Sequence, residues 1–235
     1  MTSLPLTVHG VQIPFGPEAV SPTIWAALAS GAYEAKEARW APRSVRPGDR
    51  ILELGAGLGI ISCLLAAKPD VQLWAFEANP STHALADRVI AANQQRNITL
   101  RQGLLAAGPP AEFDFYARED LWMSSLVREQ GPFRAILRVQ SESLDDFVRE
   151  HRINLIVMDI EGAERDLLRD AALPGVERIF LEIHDHLYGL DGVSEITVSL
   201  AAKGFAYDPR GSSGACLLFN RNRAAREYMP DEADA

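Results

Sequence analysis

The feature that most limits the fold of this chain is a strand, a glycine-rich turn and a helix in immediate succession. Arg50–Leu54 is a short apolar strand, Glu53-Leu54-Gly55-Ala56-Gly57-Leu58-Gly59 contains the turn, and residues 60–67 form an apolar helical stretch. Gly55 and Gly57 let the backbone turn tightly and approach a ligand, and Gly59 lets the helix pack closely on the strand. The dinucleotide fingerprint G-x-G-x-x-G, counted from Gly55, requires a third glycine where Ile60 stands. The spacing found, G-x-G-x-G led by an acid, suits a ligand without a pyrophosphate.

The same alternation recurs along the chain. Strands are predicted at 72–76, 98–101, Leu155–Met158 and 178–183, and helices at 81–95, 164–169 and 194–203. Two closing strands, 205–207 and 215–220, read as an antiparallel hairpin around Pro209-Arg210-Gly211. Strand and helix alternating in this way predict an α/β fold: a doubly wound, Rossmann-like, mostly parallel sheet covered on both faces. Arg46-Pro47-Gly48-Asp49 is a turn, and residues 21–39 read as one or two helices after Ser21-Pro22. The expected organisation is a single domain over 1–235, with an N-terminal helical extension (1–45), a core (46–221) and an acidic tail (222–235). Residues 104–135 read as an irregular loop, and loops of that length are more often functional than idle.

Net charge is −9 and the pI about 5.1. A protein that neutralises phosphates or docks on anionic lipid needs a basic face, so neither a nucleic-acid nor a membrane partner is expected. Cys63 and Cys216, the two cysteines, fall in apolar segments and read as buried thiols of a reducing compartment. The run 60–67 is far shorter than the roughly 20 residues of a membrane span. The first ten residues lack a signal-peptide layout, so a cytoplasmic location is expected. A homo-oligomer is compatible with the sequence.

The second strand ends in Phe76-Glu77-Ala78-Asn79-Pro80. Glu77 follows Gly55 by about 20 residues, where an acid at the strand tip accepts hydrogen bonds from both ribose hydroxyls. Glu53 is a candidate to hold a cationic group of the same ligand. Glycine turn and acid together point to an adenosyl cofactor at the switch point of the sheet.

These residues carry a family resemblance. Gly48-Asp49-Arg50-Ile51-Leu52-Glu53-Leu54-Gly55-Ala56-Gly57, Glu77-Ala78-Asn79-Pro80, Asn93, and above all Met158-Asp159-Ile160-Glu161-Gly162-Ala163-Glu164 resemble the FkbM-type methyltransferases, over approximately residues 33–220. The resemblance implies S-adenosylmethionine as cofactor and O-methylation of a small molecule, a sugar or secondary metabolite. The chain departs from the family at Met158, where lysine is usual, and at Ala78, where proline is common. With the turn and Glu77, the expected cofactor-binding set is Glu53, Gly55, Ala56, Gly57, Gly59, Glu77, Ala78, Asn79, Gly103, Ser124, Ser125 and Asp159. Tyr33 and Glu37 close over the cofactor on the family's analogy alone.

Residues two apart on a strand share a face, which pairs Asp159 with Glu161 and Glu182 with His184. If both strands persist that far, the four side chains meet in one crevice beyond the sheet. The expected catalytic set is therefore His184, Asp159, Glu182 and Glu161, with His184 as general base. Asp159 or Glu182 would orient the acceptor, or hold a divalent cation such as Mg²⁺. Blander roles compete: Glu161 and Glu164 as acids at a helix start, His184 and His186 in an exposed turn, and Ser124 and Ser125 as caps of a helix through Val127. Trp25, Trp40 and the aromatics of Phe113-Asp114-Phe115-Tyr116 read as packing residues. Two other functions are open, a nicotinamide-dependent oxidoreductase on the same fold and a non-catalytic adenosyl-cofactor-binding module.

Overall fold

In chain order, the computed structural model describes residues 6–221. The predicted acidic tail lies outside the described residues. The N-terminal extension begins with a two-stranded antiparallel hairpin, β1 (Leu6–Val8) and β2 (Val11–Ile13), followed by α1 (Pro22–Ser30) and α2 (Ala35–Trp40). The helices expected over 21–39 are present as α1 and α2, and the hairpin that precedes them goes beyond the expected helical extension. Three-residue strands are too short to leave an alternation in the sequence, and His9-Gly10, both at positive φ, supply the turn. Ser21 starts α1 as anticipated, its side chain accepting a hydrogen bond from the Ile24 N–H.

The core continues with β3 (Arg50–Leu54), α3 (Ile60–Ala66), β4 (Gln72–Glu77), α4 (Pro80–Ala92) and β5 (Ile98–Gln102). Residues 104–135 are irregular only in part, chiefly over 118–134. They hold β6 (Leu104–Ala106) and β7 (Glu112–Ala117), which with β8 (Ala135–Ser143) form a separate three-stranded sheet in the order β6-β8-β7. β7 mixes Glu112 and Asp114 with Phe113, Phe115 and Tyr116, and Arg138 of β8 pairs with both acids. That charge content hid a strand pair. Then come α5 (Leu144–His151), β9 (Leu155–Met158), α6 (Glu164–Asp170), β10 (Arg178–Glu182), α7 (Asp185–Ala202), β11 (Phe205–Ser213) and β12 (Cys216–Arg221).

The main sheet has seven strands in the order β11-β12-β10-β9-β3-β4-β5. β10, β9, β3, β4 and β5 run parallel, and the β11–β12 hairpin is antiparallel, as predicted. The hairpin turns at Gly214-Ala215, however, and Pro209-Arg210-Gly211 lie within β11, where the register shifts. Central strands are apolar throughout because helices cover both faces: Ile51, Leu52, Leu155, Ile156 and Ile179 are fully buried. One face packs on α5, α6 and α7 through Phe147, Leu168 and Ile196; the other packs on α3 through Ile61 and Leu65. A third cluster joins the N-terminal hairpin and α1 to α3 and α4 through Ile13, Ile24, Leu28 and Val89. Both cysteines are buried and free. Among the described residues no helix is long and apolar enough to cross a membrane.

Sequence order reverses between β3 and β9, which makes their carboxyl ends the switch point where open α/β sheets bind ligands. The two strands are joined to their ends: the Asp159 N–H donates to the Leu54 carbonyl at 2.9 Å.

Candidate active site

A cavity of about 420 Å³ opens at this switch point, within the range of small-molecule sites. Its floor is the glycine turn. Gly55 has φ +84°, and a Cβ there would lie 1.8 Å from the Asp159 carbonyl oxygen, so only glycine permits this approach of the two turns. Gly57, at φ +52°, has its Cα facing the Tyr33 hydroxyl and the Glu34 carboxylate, and a Cβ would fall 3.2 and 3.1 Å from them. Of the predicted set, Gly55, Gly57, Glu77, Ala78, Gly103, Ser124, Asp159 and Glu161 line the cavity.

Glu77 ends β4 at one wall. Its Oε2 accepts the Gly57 N–H at 3.0 Å and its Oε1 accepts the Asn79 N–H at 2.8 Å. Each oxygen keeps a lone pair for a further donor, the geometry a ribose diol requires. Burial lifts the carboxyl to about 7 against these hydrogen bonds.

Five expected cofactor contacts lie elsewhere. Glu53 is 2% exposed, accepts a hydrogen bond from the Ser62 hydroxyl, and faces a smaller cavity behind the turn. The N–H of Ala56 is taken by the Phe76 carbonyl. Gly59 packs against Ala86 of α4. Asn79 caps α4, its Oδ1 accepting the Ser81 N–H. Ser125 is buried and donates to Gln130 Oε1, so it caps no helix; Ser124 lines the cavity but its hydroxyl accepts the Arg118 N–H. These residues shape the turn and the loop, a role a motif match does not separate from ligand contact.

The four predicted catalytic residues come together only in part. β9 ends at Met158 and β10 at Glu182, so strand alternation lapses before it reaches Glu161 or His184. Asp159 and Glu161 still face the same imidazole: His184 Nε2 is 3.4 Å from Asp159 Oδ1 and 3.5 Å from Glu161 Oε2. Glu182 instead borders the smaller cavity with Glu34, Glu37, Glu53 and Asp159. His184 is 5% exposed, lines neither cavity, and is no exposed turn residue; His186 is exposed.

Sequence reasoning missed what lies behind His184. Glu164, completely buried, accepts the Ile160 and Gly162 N–H groups at 3.2 and 3.0 Å and contacts His184 Nδ1 at 3.0 Å. Burial alone would lower the imidazole's pKa, but the Glu164 hydrogen bond and charge, with Asp159 and Glu161, raise it to about 10. The raised pKa favours the protonated imidazole near neutrality, and His184 lines neither cavity. Burial first, then mutual repulsion, lifts Asp159 and Glu182 to about 8 and Glu161 to about 7, against the attraction of His184. Donor atoms of Asp159, Glu164 and His184 lie within 4.8 Å of one another. The trio fits a divalent cation poorly, because Glu164 is already engaged by two backbone N–H groups and by His184 Nδ1.

The remaining wall is apolar and comes from the small sheet and the segment after it: Phe113, Phe115, Trp122, Leu126 and Val127. Two aromatics assigned to packing therefore face the cavity. Arg118 organises this segment, its guanidinium donating to the carbonyls of Tyr116, Met123, Val127 and Arg128. Gln130 ties it to the site by donating to Glu161 Oε2 at 3.1 Å.

Among known proteins, the profile of the methyltransferase FkbM domain matches residues 55–207. No curated protein sequence matches significantly. Similar solved structures include Trm5b from Pyrococcus abyssi, 14% identical, with a TM-score of 0.48 over 90% of this chain and 52% of that one. This chain thus spans about half the length of that relative. A ribosomal protein L11 methylase from Lactobacillus delbrueckii subsp. bulgaricus is 16% identical, covering 83% and 81% of the two chains at a TM-score of 0.49. Aeropyrum pernix fibrillarin, solved with natively bound S-adenosyl-L-methionine, is 13% identical, covering 74% and 67% at 0.44.

Proposed function

Because the chain belongs to the FkbM methyltransferase domain family, we propose that it methylates a hydroxyl of a small, partly apolar acceptor with S-adenosylmethionine. One observation carries the reading: Glu77, with one free lone pair on each oxygen, stands across the glycine turn from Asp159 in a single cavity. The cofactor, when bound, supplies an electrophilic methyl on a sulfonium, which a nucleophile displaces directly. Glu77 would hold the ribose, Ala78 and Gly103 would flank the adenine, and Gly55 and Gly57 would let the chain lie close beneath.

The rest of the task is to position an oxygen and take its proton. Asp159 suits proton acceptance better than His184. It lines the cavity, its Oδ1 makes no contact among the described residues beyond the 3.4 Å ion pair with His184, and burial raises its carboxyl from the usual range toward neutrality. With the cofactor bound, that carboxylate would accept the hydroxyl proton as the oxygen takes the methyl and the sulfonium is left as a neutral thioether. His184 is a positioning residue, a buried cation clamped by Glu164 that holds Asp159 and Glu161 in place. Phe113, Phe115, Trp122 and Leu126 favour an apolar acceptor over a free sugar.

Calorimetric titration with S-adenosylhomocysteine and with NAD tests the reading. Micromolar binding of the first alone, weakened at least about tenfold in Glu77→Ala through loss of charged hydrogen bonds, is the expected result. NAD binding in its place would favour the oxidoreductase. Cofactor binding with no methylated product from a broad alcohol and phenol panel would favour a binding module.

A further inference from the structure

Glu34 sits at the entrance to α2 in a left-handed conformation (φ +47°, ψ 35°), and its side chain caps nothing. Non-glycine residues in this region are strained and persist where the surroundings hold them, often at ligand sites. Its neighbour Tyr33 is 1% exposed and stacks on Trp122 with ring centroids 5.9 Å apart. The Tyr33 hydroxyl and Glu34 Oε2 are both buried and lie against each other, with no other hydrogen-bond partner among the described residues. Both residues line the main cavity, directly over Gly57, whose N–H on the opposite side holds Glu77.

Glu34 also lines the smaller cavity, whose wall includes Glu37, Glu53, Asp159 and Glu182. Among the described residues neither cavity is lined by Lys, Arg or His. Buried, unpartnered polar atoms are uncommon and call for a donor. Burial, and then the charge of Asp159, push the Glu34 carboxyl well above its usual range, against the hydrogen bond of the Tyr33 hydroxyl. The position calls for a ligand group that brings both positive charge and N–H donors. A sulfonium has the charge and no donors; an ammonium has three.

We infer that Glu34, with the Tyr33 hydroxyl beside it, receives the α-ammonium of the cofactor's amino-acid end. The inference rests on the adenosyl-cofactor reading. A molecule anchored by its ribose at Glu77 and laid across Gly57 reaches Glu34 with its other end. It also moves the cation-binding role expected of Glu53, whose carboxylate is turned away toward Ser62, to a residue the glycine motif does not contain.

Two ligands separate the ends of the cofactor: S-adenosylhomocysteine, and 5′-methylthioadenosine, which keeps the adenosine and thioether but lacks the amino-acid portion. Wild type is expected to bind the first at least tenfold more tightly. Glu34→Gln should lose that preference, with S-adenosylhomocysteine weakened at least tenfold and 5′-methylthioadenosine held within twofold, which also shows that the site is folded. Tyr33→Phe should give a smaller loss in the same direction. An unchanged ratio in Glu34→Gln, or equal weakening of both ligands, would overturn the inference and leave the cofactor reading standing. Binding of neither ligand to wild type would overturn both.

Discussion

His184 shows how far one residue's role depends on what lies behind it. Its pKa near 10, set by Glu164, Asp159 and Glu161, means that its ring should stay doubly protonated between pH 6 and 8. A nitrogen-detected NMR titration of the imidazole checks this, and a midpoint near 6.5 would return the base role to it. Glu164→Gln removes the carboxylate from a buried cation, so the expected loss is about 3–5 kcal/mol of stability, with a fall in the His184 pKa. Asp159→Asn should retain S-adenosylhomocysteine binding while kcat falls by about 10²–10⁴, the usual contribution of a general base. A kcat within threefold of wild type would move proton transfer to another group.

At the scale of elements, the two turns after β3 and β9 are built against each other. Gly55→Ala would place a Cβ 1.8 Å from a backbone oxygen, which no side-chain rearrangement relieves. We expect a loss of about 4 kcal/mol or more in urea unfolding. The segment between β7 and β8 is held differently, by one guanidinium reaching four carbonyls. Arg118→Met should speed amide exchange across residues 119–131 at least about tenfold, the equivalent of one lost charged hydrogen bond. Protection in β3 and β9 should not change, since the hydrogen bonds of Arg118 among the described residues all stay within 116–128; a uniform loss would show that the segment supports the whole fold.

For the molecule as a whole, the site is an excess of buried acid. Asp159, Glu182 and Glu53 titrate near 8, Glu161 and Glu77 near 7, and His184 near 10. Each is raised above its unfolded value, so the folded chain holds protons that the unfolded chain releases. The carboxyl contributions are fully present below about pH 4 and fade up to 7 or 8; that of His184 is present below about 6.5 and lost through 10. All have the same sign. The ligand-free protein should therefore lose stability from pH 6 to 9, by about 1.4 kcal/mol per pH unit for each proton retained. Thermal melts across that range measure it, and a rising Tm would mean that these carboxyls are ionised in the fold. At the opposite end of the sheet, the Arg178 guanidinium holds Asp49 through bonds of 2.5 and 2.9 Å, both side chains 3% exposed. Asp49→Ala should cost about 3–5 kcal/mol, because it leaves a buried cation unpaired.

The amino-acid sequence by itself determined the parallel sheet, its closing hairpin, the glycine turn and Glu77. All of these follow from local patterns: apolar runs, glycines at fixed spacing, and an acid at a strand tip. It did not reveal β7 and β8, because charged cross-strand pairs mask their alternation, nor β1, β2 and β6, which are too short to show one. What only the tertiary structure decided is which acids face the cavity. Glu53 and Glu182 lie in β3 and β10 yet border the smaller cavity behind the turn. Glu161 reaches His184 only because its backbone takes φ +53° past the end of β9. Glu34, outside any motif, and Glu164, the last residue of the motif after β9, become the partners of Gly57 and His184. Whether a carboxylate is solvated, clamped or left wanting a cation depends on groups brought to it from distant parts of the chain, and no local pattern records that meeting.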